Sequence, residues 1–137
     1  MKLKDKNVFI TGSGQGIGKQ IAIAMAKEGA NVAVSDINIE NAESAAQEIR
    51  SLGRKSIAIK LDVSKQNEVI AAFETFKNEF GIIDILVNNA GITKDTLVLR
   101  MKDDDWDAVI NVNLKGTFLC SREAIKLMVK QQHGNII

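Results

Sequence analysis

Residues 7–18 read Asn-Val-Phe-Ile-Thr-Gly-Ser-Gly-Gln-Gly-Ile-Gly, a short apolar run followed at once by alternating glycines. The run over residues 7–11 is typical of a buried strand, and the glycine-rich turn over residues 12–18 opens into a stretch with helical spacing. Glycine lets a backbone turn sharply and leaves no Cβ in the way of a close neighbour. The segment therefore predicts a strand, a tight turn and a helix.

The same alternation of apolar runs and amphipathic stretches continues along the chain. Further strands are predicted at residues 31–35, 56–61 and 85–88. The first helix is expected to reach about Gly29, with Ile17, Ile21, Ala24 and Met25 at helical spacing. Asn38 suits the N-cap of a second helix that stops at Gly53 and carries Ile39, Ala42, Ala46 and Ile49.

Two more helices are predicted in the second half of the chain. Ser64 is expected to cap a helix with the apolar stripe Val69, Ala72, Phe73, Phe76 and Phe80. A loop then runs to about Lys102, and a long helix begins near Asp103. Its buried side is expected to comprise Trp106, Val109, Ile110, Leu114, Thr117, Phe118, Ala124, Ile125 and Met128.

The last residues, Gly-Asn-Ile-Ile at 134–137, look like the beginning of another buried strand. Such strands usually have about 5–6 residues, and a parallel strand is rarely left partly unpaired. We therefore expect the N-terminal part of a longer protein, the alternative being a short strand on the sheet edge. The predicted fold class is α/β: a Rossmann-type doubly wound parallel sheet in three α/β/α layers, truncated in its fifth strand.

Composition excludes several classes of protein. The 18 Lys and Arg residues nearly balance the 17 Asp and Glu residues, whereas binders of nucleic acid or anionic membranes need a basic surplus. No apolar run approaches the ~18 residues of a transmembrane helix, and the N-terminus has no apolar signal region. Because Cys120 is the only cysteine and His133 the only histidine, no intrachain disulfide or structural zinc site is expected. A cytoplasmic location fits best.

The glycine-rich turn is the first candidate site. Backbone N–H groups at a helix N-terminus and the positive end of the helix dipole suit a pyrophosphate. The candidate ligand-binding residues here are Gly12, Ser13, Gln15, Gly16, Ile17 and Gly18. The alternative is a tight strand-to-helix turn that binds nothing, which four glycines in this context make less favoured.

Acidic residues end two of the predicted strands. Asp36, followed by Ile37, can accept hydrogen bonds from the ribose hydroxyls of an adenosine and would repel a 2′-phosphate. Since the glycine turn carries Gln15 rather than a basic residue, NAD(H) is favoured over NADP(H). Asp62 could accept from an adenine amino group while Val63 packs on the ring. The alternatives are a helix-capping role for Asp36 and a simple turn at Asp62.

Amide side chains supply the remaining candidates. Asn88 starts the sequence Asn-Asn-Ala-Gly, in which Asn89, Ala90 and Gly91 follow the fourth strand, where ligands of open α/β sheets bind. These residue types are also common in turns. Asn113 lies within the predicted apolar stripe of the long helix. It is either a core amide satisfied by backbone groups or an active-site amide that holds water or a polar group.

Together these sequences resemble the short-chain dehydrogenase/reductase family. Thr11, Gly12, Gly16 and Gly18 match its TGxxxGxG pattern, residues 88–91 match NNAG, and Asn113 falls on its active-site Asn. The resemblance covers essentially the whole chain and implies an NAD(P)-binding Rossmann domain over residues 1–137, the N-terminal part of a single-domain enzyme. It also implies that Asn113 relays protons through water in catalysis.

Residues 90–106 and the sequences VNLKGTF and HGNII are most similar to 3-oxoacyl-acyl-carrier-protein reductases of that family. The resemblance implies reduction of a 3-oxoacyl thioester or a related ketone, possible docking of acyl carrier protein, and a homotetramer with the long helix at its interface. Many such reductases use NADPH and carry a basic residue in the glycine loop. Gln15 and Asp36 depart from that pattern and leave room for an NAD-dependent dehydrogenase.

The family's catalytic Ser, Tyr and Lys fall beyond residue 137, and this sequence contains no Tyr. The resemblance therefore implies that the 137 residues alone are inactive, because that Tyr is the general acid/base for hydride transfer. Two other interpretations stay open: a non-catalytic nucleotide-binding module, and a structural or interaction protein with a vestigial glycine loop. Asp36 and Asp62 at adenosine-facing positions argue against the last.

Overall fold

The computed structural model describes all 137 residues. The strands are β1 (Asn7–Ile10), β2 (Asn31–Asp36), β3 (Ser56–Lys60), β4 (Ile85–Val87) and β5 (Asn135–Ile136). The α-helices are α1 (Gly16–Lys27), α2 (Ile39–Ser51), α3 (Gln66–Phe80), α4 (Asp103–Val109) and α5 (Gly116–Gln131). A 3₁₀ turn lies at Val98–Arg100, and a π-helical segment, Ile110–Lys115, joins α4 to α5.

The five strands form one parallel sheet in the order β3-β2-β1-β4-β5. Strand β1 lies at the centre, with Val8 opposite Val32 of β2 on one side and Ile85 of β4 on the other. The chain works outward from β1 to β3 and then returns to place β4 beside β1. The strand order therefore reverses between β1 and β4, which confirms the predicted Rossmann-type fold and marks where such sheets bind ligands.

Alternating side chains of the central strand serve two cores, one on each face of the sheet. Val8 and Ile10 pack with small buried residues of α1 and α2, such as Ala22 and Ala46. Phe9 points to the other face, where it belongs to the core formed with α3 and α5. Its ring stacks on Phe73 of α3 with 4.6 Å between the ring centroids. The three-layer α/β/α arrangement follows from this alternation.

Polar side chains link the amino ends of neighbouring strands. Asn31 Nδ2 donates to Asn7 Oδ1 (3.0 Å), and the backbone N–H of Asn7 donates to Asp84 Oδ2 (2.8 Å). Arg54, which precedes β3, donates to Asn31 Oδ1 (3.1 Å). Lys6 Nζ lies 3.2 Å from Asp84 Oδ1. This row of polar side chains thus joins four adjacent strands at their amino ends. Sheets of this kind bind ligands at the opposite, carboxyl ends of the strands.

The helix starts agree with the predictions in one case and correct them in another. Asn38 caps α2, because its Oδ1 accepts from the backbone N–H of Asn41 (3.0 Å). Ser64 does not cap α3, which begins at Gln66 after Lys65. Instead, the Ser64 hydroxyl and N–H both donate to Asp62 Oδ1 (2.6 and 3.0 Å), so the side chain is used in the preceding turn.

The predicted buried side of the long helix is partly wrong. Ala124 and Met128 are buried, but they share that face with Gly116, Leu119 and Cys120. Several residues assigned to the core are exposed instead: Trp106, Leu114, Thr117, Phe118 and Ile125. The π-helical segment changes the angular phase between α4 and α5, so one helical period cannot describe both. The helix also carries a second apolar face, which residue type alone does not distinguish from the core.

The other predicted elements differ from the structure by small shifts at their ends. Strand β2 extends through Asp36, and β4 ends at Val87. Residues 135–136 form β5, which pairs in parallel with β4 through Ile85↔Asn135 and Leu86↔Ile136. None of the helices has the length and apolar character needed to cross a bilayer.

Candidate functional site

A groove of about 370 Å³ opens at the carboxyl ends of the strands, beside the reversal between β1 and β4. Its lining combines the glycine-rich turn, the ends of β2 and β3, and the segment after β4. The lining residues are Gly12, Gln15, Gly16, Asp36, Ile37, Leu61, Asp62, Val63, Asn89, Ala90, Gly91, Ile92 and Val112. Ten of the candidate residues from the sequence therefore come together in one place.

The glycine-rich turn presents unpaired backbone to this groove. Gly16 has φ +58°, and a Cβ built on it would meet nothing within 4 Å, so this side of the turn is open. The N–H groups of residues 15–18 donate to no protein acceptor. They stand at the start of α1, where the helix dipole adds partial positive charge. The turn therefore has the donors and the open space that an anionic group requires.

On its inner side, the turn is packed tightly against the segment after β4. A Cβ on Gly12 would lie 2.8 Å from Ala90 Cα, and one on Gly18 would lie 2.3 Å from Asn89 Nδ2. Asn89 Nδ2 donates to the carbonyls of Thr11 (3.1 Å) and Gly12 (2.9 Å). Glycine is needed at Gly12 and Gly18 because the two segments approach so closely.

Thr11 completes this junction, although in the sequence it stands out only as the first residue of the TGxxxGxG pattern. Its Oγ1 accepts from the backbone N–H groups of both Asn89 and Ala90, at 3.0 Å each. A hydroxyl at the end of a buried strand, followed by the glycine turn, was the available signal. The bonds fix the position of the groove wall relative to β1.

Two carboxylates flank the groove at the ends of β2 and β3. Asp36 is 7% exposed, and its oxygens accept from the backbone N–H groups of Gly14 and Asn38. Asp62 Oδ1 is engaged by Ser64, which leaves its other oxygen without a protein donor. No Lys, Arg or His side chain is among the lining residues. The groove therefore pairs an open N–H-rich turn with a negatively charged region at the strand ends.

Val63 forms an apolar part of the wall, and its position depends on α5. A Cβ on Gly116, the first residue of α5, would lie 2.5 Å from Val63 Cγ2. Glycine at that position lets the helix start pack directly on the valine. Leu61, Ile92 and Val112 add apolar lining that was not predicted, because nothing in the sequence distinguishes these residues from core residues.

Three candidates from the glycine-rich turn do not line the groove. Ser13 is fully buried; its hydroxyl donates to the Ile10 carbonyl (2.8 Å) and accepts from the Ser35 N–H (3.2 Å). Gly18 faces Asn89, as described above. Ile17 is 76% exposed at the first turn of α1, pointing away from the core. Any contribution of these three comes through their backbone, because their side chains do not reach the groove.

Asn113 does not lie in a buried apolar stripe, which corrects the prediction. It is an exposed residue of the π-helical segment Ile110–Lys115. Its Oδ1 accepts from the Ile92 N–H (2.8 Å), and its Nδ2 donates to the Ile92 carbonyl (2.9 Å). The amide is thus satisfied by backbone groups, as the non-catalytic alternative required, but at the groove rim rather than in the core. Segments of π-helix often occur at functional sites.

The features of the groove fit a dinucleotide. Open space at Gly16 and free N–H groups suit the pyrophosphate, and strand-end carboxylates suit ribose hydroxyls and an adenine amino group. No group of three or more His, Cys, Asp or Glu side chains is placed to hold a metal ion. The chemistry of the donors therefore favours an organic phosphate ligand over a metal ion.

Comparison with curated proteins gives relatives that are named as 3-oxoacyl-acyl-carrier-protein reductases. The chain is 44% identical over 137 residues to "3-oxoacyl-[acyl-carrier-protein] reductase FabG" of Thermotoga maritima, covering 100% of this chain and 56% of that protein. It is 45% identical over 133 residues to the protein of the same name from Staphylococcus aureus, covering 96% of this chain and 54% of that one. The chain spans about half the length of these relatives.

Solved structures give the same fold. NAD⁺-bound xylitol dehydrogenase matches with a TM-score of 0.96 at 31% identity, covering 99% of this chain and 53% of that one. A putative short-chain alcohol dehydrogenase from Sinorhizobium meliloti matches with a TM-score of 0.94 at 32% identity, covering 98% and 54%. The sequence model described as short chain dehydrogenase matches residues 6–137. The groove, the strand order and these matches agree, and the chain belongs to the short-chain dehydrogenase family.

Proposed function

We propose that this chain forms the dinucleotide-binding part of an oxidoreductase that reduces 3-oxoacyl thioesters, or interconverts a related ketone and secondary alcohol, with NAD(H). The observation that carries the proposal is the groove itself, in which an unpaired N–H-rich turn stands beside two strand-end carboxylates. Membership of the dehydrogenase family supports the reaction class, and the names of the curated relatives support the thioester substrate.

Different residues of the groove would bind different parts of the dinucleotide. The N–H groups of Gln15, Gly16 and the next residues would hold the pyrophosphate. Asp36 with Ile37 would bind the adenosine ribose, and Asp62 with Val63 the adenine. Asn89, Ala90 and Gly91 would form the wall toward the other half of the dinucleotide. The bound nicotinamide would supply or accept the hydride.

NAD(H) is the proposed form of the cofactor. Asp36 is a buried carboxylate, and a 2′-phosphate beside it would place like charges together at low dielectric. The groove lining offers no Lys or Arg to compensate for that phosphate. This proposal departs from the NADPH use of many 3-oxoacyl reductases, and the structural reason is the charge at the end of β2.

Asn113 is the one residue of this chain proposed to act in catalysis. Its side-chain amide holds the Ile92 backbone in place, so it would position the groove rim. The water relay that the family resemblance implies would run through Asn113 itself. The family resemblance implies a Tyr as the proton donor to the substrate, and since these 137 residues contain no Tyr, that residue would lie in another part of the protein.

The decisive experiment uses the protein expressed from its complete gene. NADH and NADPH oxidation are measured with acetoacetyl-CoA and with acetoacetyl-acyl carrier protein. The proposal expects reduction with kcat/KM for NADH at least tenfold above that for NADPH, since tenfold corresponds to about 1.4 kcal/mol and two like charges about 4 Å apart near a protein surface repel by about 4 kcal/mol. If the protein binds NADH but turns over neither thioester, the proposed cofactor site stands and the proposed substrate is wrong. Higher kcat/KM with NADPH would overturn the cofactor preference.

The proposed assembly is a homotetramer in the cytoplasm, with α5 at a subunit interface. The exposed face of α5 carries Phe118, Ile125 and Val129, which are 55%, 47% and 68% exposed. Contiguous exposed apolar surface of this kind is typical of a protein–protein contact. The near balance of charges on the chain gives no support to nucleic acid or an anionic membrane as a partner.

A further inference from the structure

Asp36 is hydrogen-bonded to the backbone of the glycine-rich turn. Its Oδ2 accepts from the backbone N–H of Gly14 at 3.0 Å, in a buried position. Its Oδ1 accepts from the backbone N–H of Asn38, also at 3.0 Å. One carboxylate therefore ties together the turn before α1, the end of β2 and the residue that caps α2.

The glycine-rich turn packs closely against the Asp36 carboxylate at Gly14. A Cβ on Gly14 would lie 2.9 Å from both Asp36 Cγ and Oδ2, and 2.9 Å from Asn41 Cβ. Asn41 Nδ2 also lies 3.4 Å from Gln15 Oε1 in the same turn. The turn is thus pressed against the carboxylate and the first turn of α2, with glycine as the residue that permits it.

A carboxylate can accept more than the two bonds made here, since each oxygen has two acceptor positions. Asp36 can keep both backbone bonds and still accept from ribose hydroxyls. Hydrogen bonds from a backbone N–H to a charged carboxylate are also stronger than neutral ones. Removal of the carboxylate would leave the buried Gly14 N–H without an acceptor.

We infer that Asp36 is a positioning residue for the pyrophosphate-binding turn, in addition to its proposed contact with the adenosine ribose. The inference rests on the proposed function for its consequence in binding, but the hydrogen bonds that position the turn are internal to the protein. It follows that a neutral residue at position 36 does not simply exchange NAD(H) preference for NADP(H) preference. Such a variant loses affinity for both cofactors, because the donors of the turn are no longer held in place.

The first test measures the turn without any ligand. Hydrogen exchange with residue-level mass spectrometry is compared in the parent protein, Asp36→Ala and Asp62→Ala, all expressed from the complete gene. Asp62 is the matched control because it is a strand-end carboxylate of the same groove with no bond to the turn. Exchange at Gly14 and Asn38 is expected to rise about tenfold or more only in Asp36→Ala. Unchanged exchange at Gly14 overturns the inference.

Asp36→Asn keeps the experiment decisive if Asp36→Ala unfolds. Its amide can accept from only one side, so exchange at either Gly14 or Asn38 is expected to rise while the sheet amides stay protected. Parental exchange at both positions would again overturn the inference.

The second test separates the two roles through the ligand. An NADH analogue that lacks the 2′- and 3′-hydroxyls of the adenosine ribose cannot bond to Asp36. If Asp36 also holds the turn, Asp36→Ala weakens binding of this analogue about fivefold or more. If Asp36 only contacts the ribose, the parent and the variant bind the analogue equally, and the inference fails. Absence of NADH binding in every protein would instead remove the proposed function, while the exchange result would still decide the inference.

Discussion

The side-chain amide of Asn113 makes two hydrogen bonds to the backbone of Ile92, one to its N–H and one to its carbonyl, as a neighbouring strand would. The Ile92 N–H donates to Asn113 Oδ1, and Asn113 Nδ2 donates to the Ile92 carbonyl. The pair joins the segment after β4 to the π-helical segment, and it lies where the groove rim is formed. The position of the rim therefore depends on one amide that both donates and accepts.

Asn113→Asp tests this dependence. The carboxylate keeps the acceptor but loses the donor, and it faces the Ile92 carbonyl with like partial charge. The free energy of unfolding is expected to fall by about 1–3 kcal/mol, measured by urea denaturation. Asn111→Asp is the matched control, because Asn111 is exposed in the same segment. Equal losses in the two variants would mean that general charge, rather than the paired bonds, is responsible.

Gly116→Ala is predicted to act on the groove from a distance. The new methyl group would lie 2.5 Å from Val63 Cγ2, so either α5 or the groove wall must shift. Such overpacking costs about 1–3 kcal/mol. The double variant Gly116→Ala with Val63→Ala is expected to recover part of that loss. Thermal unfolding of the parent, both single variants and the double variant gives the coupling; additive losses would argue against a steric cause.

The buried thiol of Cys120 makes a prediction about alkaline pH. Burial raises the pKa of this thiol from 9.0 to about 12, so the folded protein keeps the proton over a range in which the unfolded chain loses it. The contribution to stability is complete below pH 9 and is lost as the pH rises from about 9 to 12. Cys120→Ala should therefore lose less stability than the parent between pH 8 and pH 10.5, as measured by urea unfolding.

The same thiol should be chemically inert in the folded state, because the thiolate is the reactive form. Iodoacetamide at pH 8 is expected to leave Cys120 unmodified in native protein and to modify it in urea. Rapid modification of native protein would show that the core around α5 opens readily.

The exposed apolar face of α5 predicts association between copies of the chain. Val129→Glu places a charge within that face and is expected to reduce the oligomer to smaller species in size-exclusion chromatography with light scattering. Gln20→Glu, on the exposed side of α1, is the control and should leave the mass unchanged. An unchanged mass in Val129→Glu would locate the interface elsewhere.

Much of the fold was predictable because its signals are local. The strands are apolar runs, and the spacing of glycines in residues 12–18 predicts a tight turn. The strand-end location of Asp36 and Asp62 follows from the strands themselves. What Asp36 bonds to was not predictable, since its partners are backbone groups of Gly14 and Asn38.

The errors came from features that depend on tertiary structure. Leu114 and Phe118 have the spacing of core residues, yet they are 65% and 55% exposed, because apolar character does not say which face is covered. The π-helical segment changes the angular phase between α4 and α5, and no residue in that segment signals the change in the sequence. Ser64 has the properties of an N-cap, but the nearby carboxylate of Asp62 offers its hydroxyl a closer partner.

The two ends of the strands differ in what their polar groups bond to. At the amino ends, a row of side chains bonds to other protein groups. There, Asn31, Asn7 and Asp84 satisfy one another and the adjacent backbone, so a substitution is felt as a change in folding. At the opposite ends, the N–H groups of the glycine turn have no protein acceptor, and they are the donors proposed to bind the dinucleotide. The scaffold and the proposed binding turn are thus held by separate sets of contacts at opposite ends of the same strands, so a substitution at one end need not disturb the other.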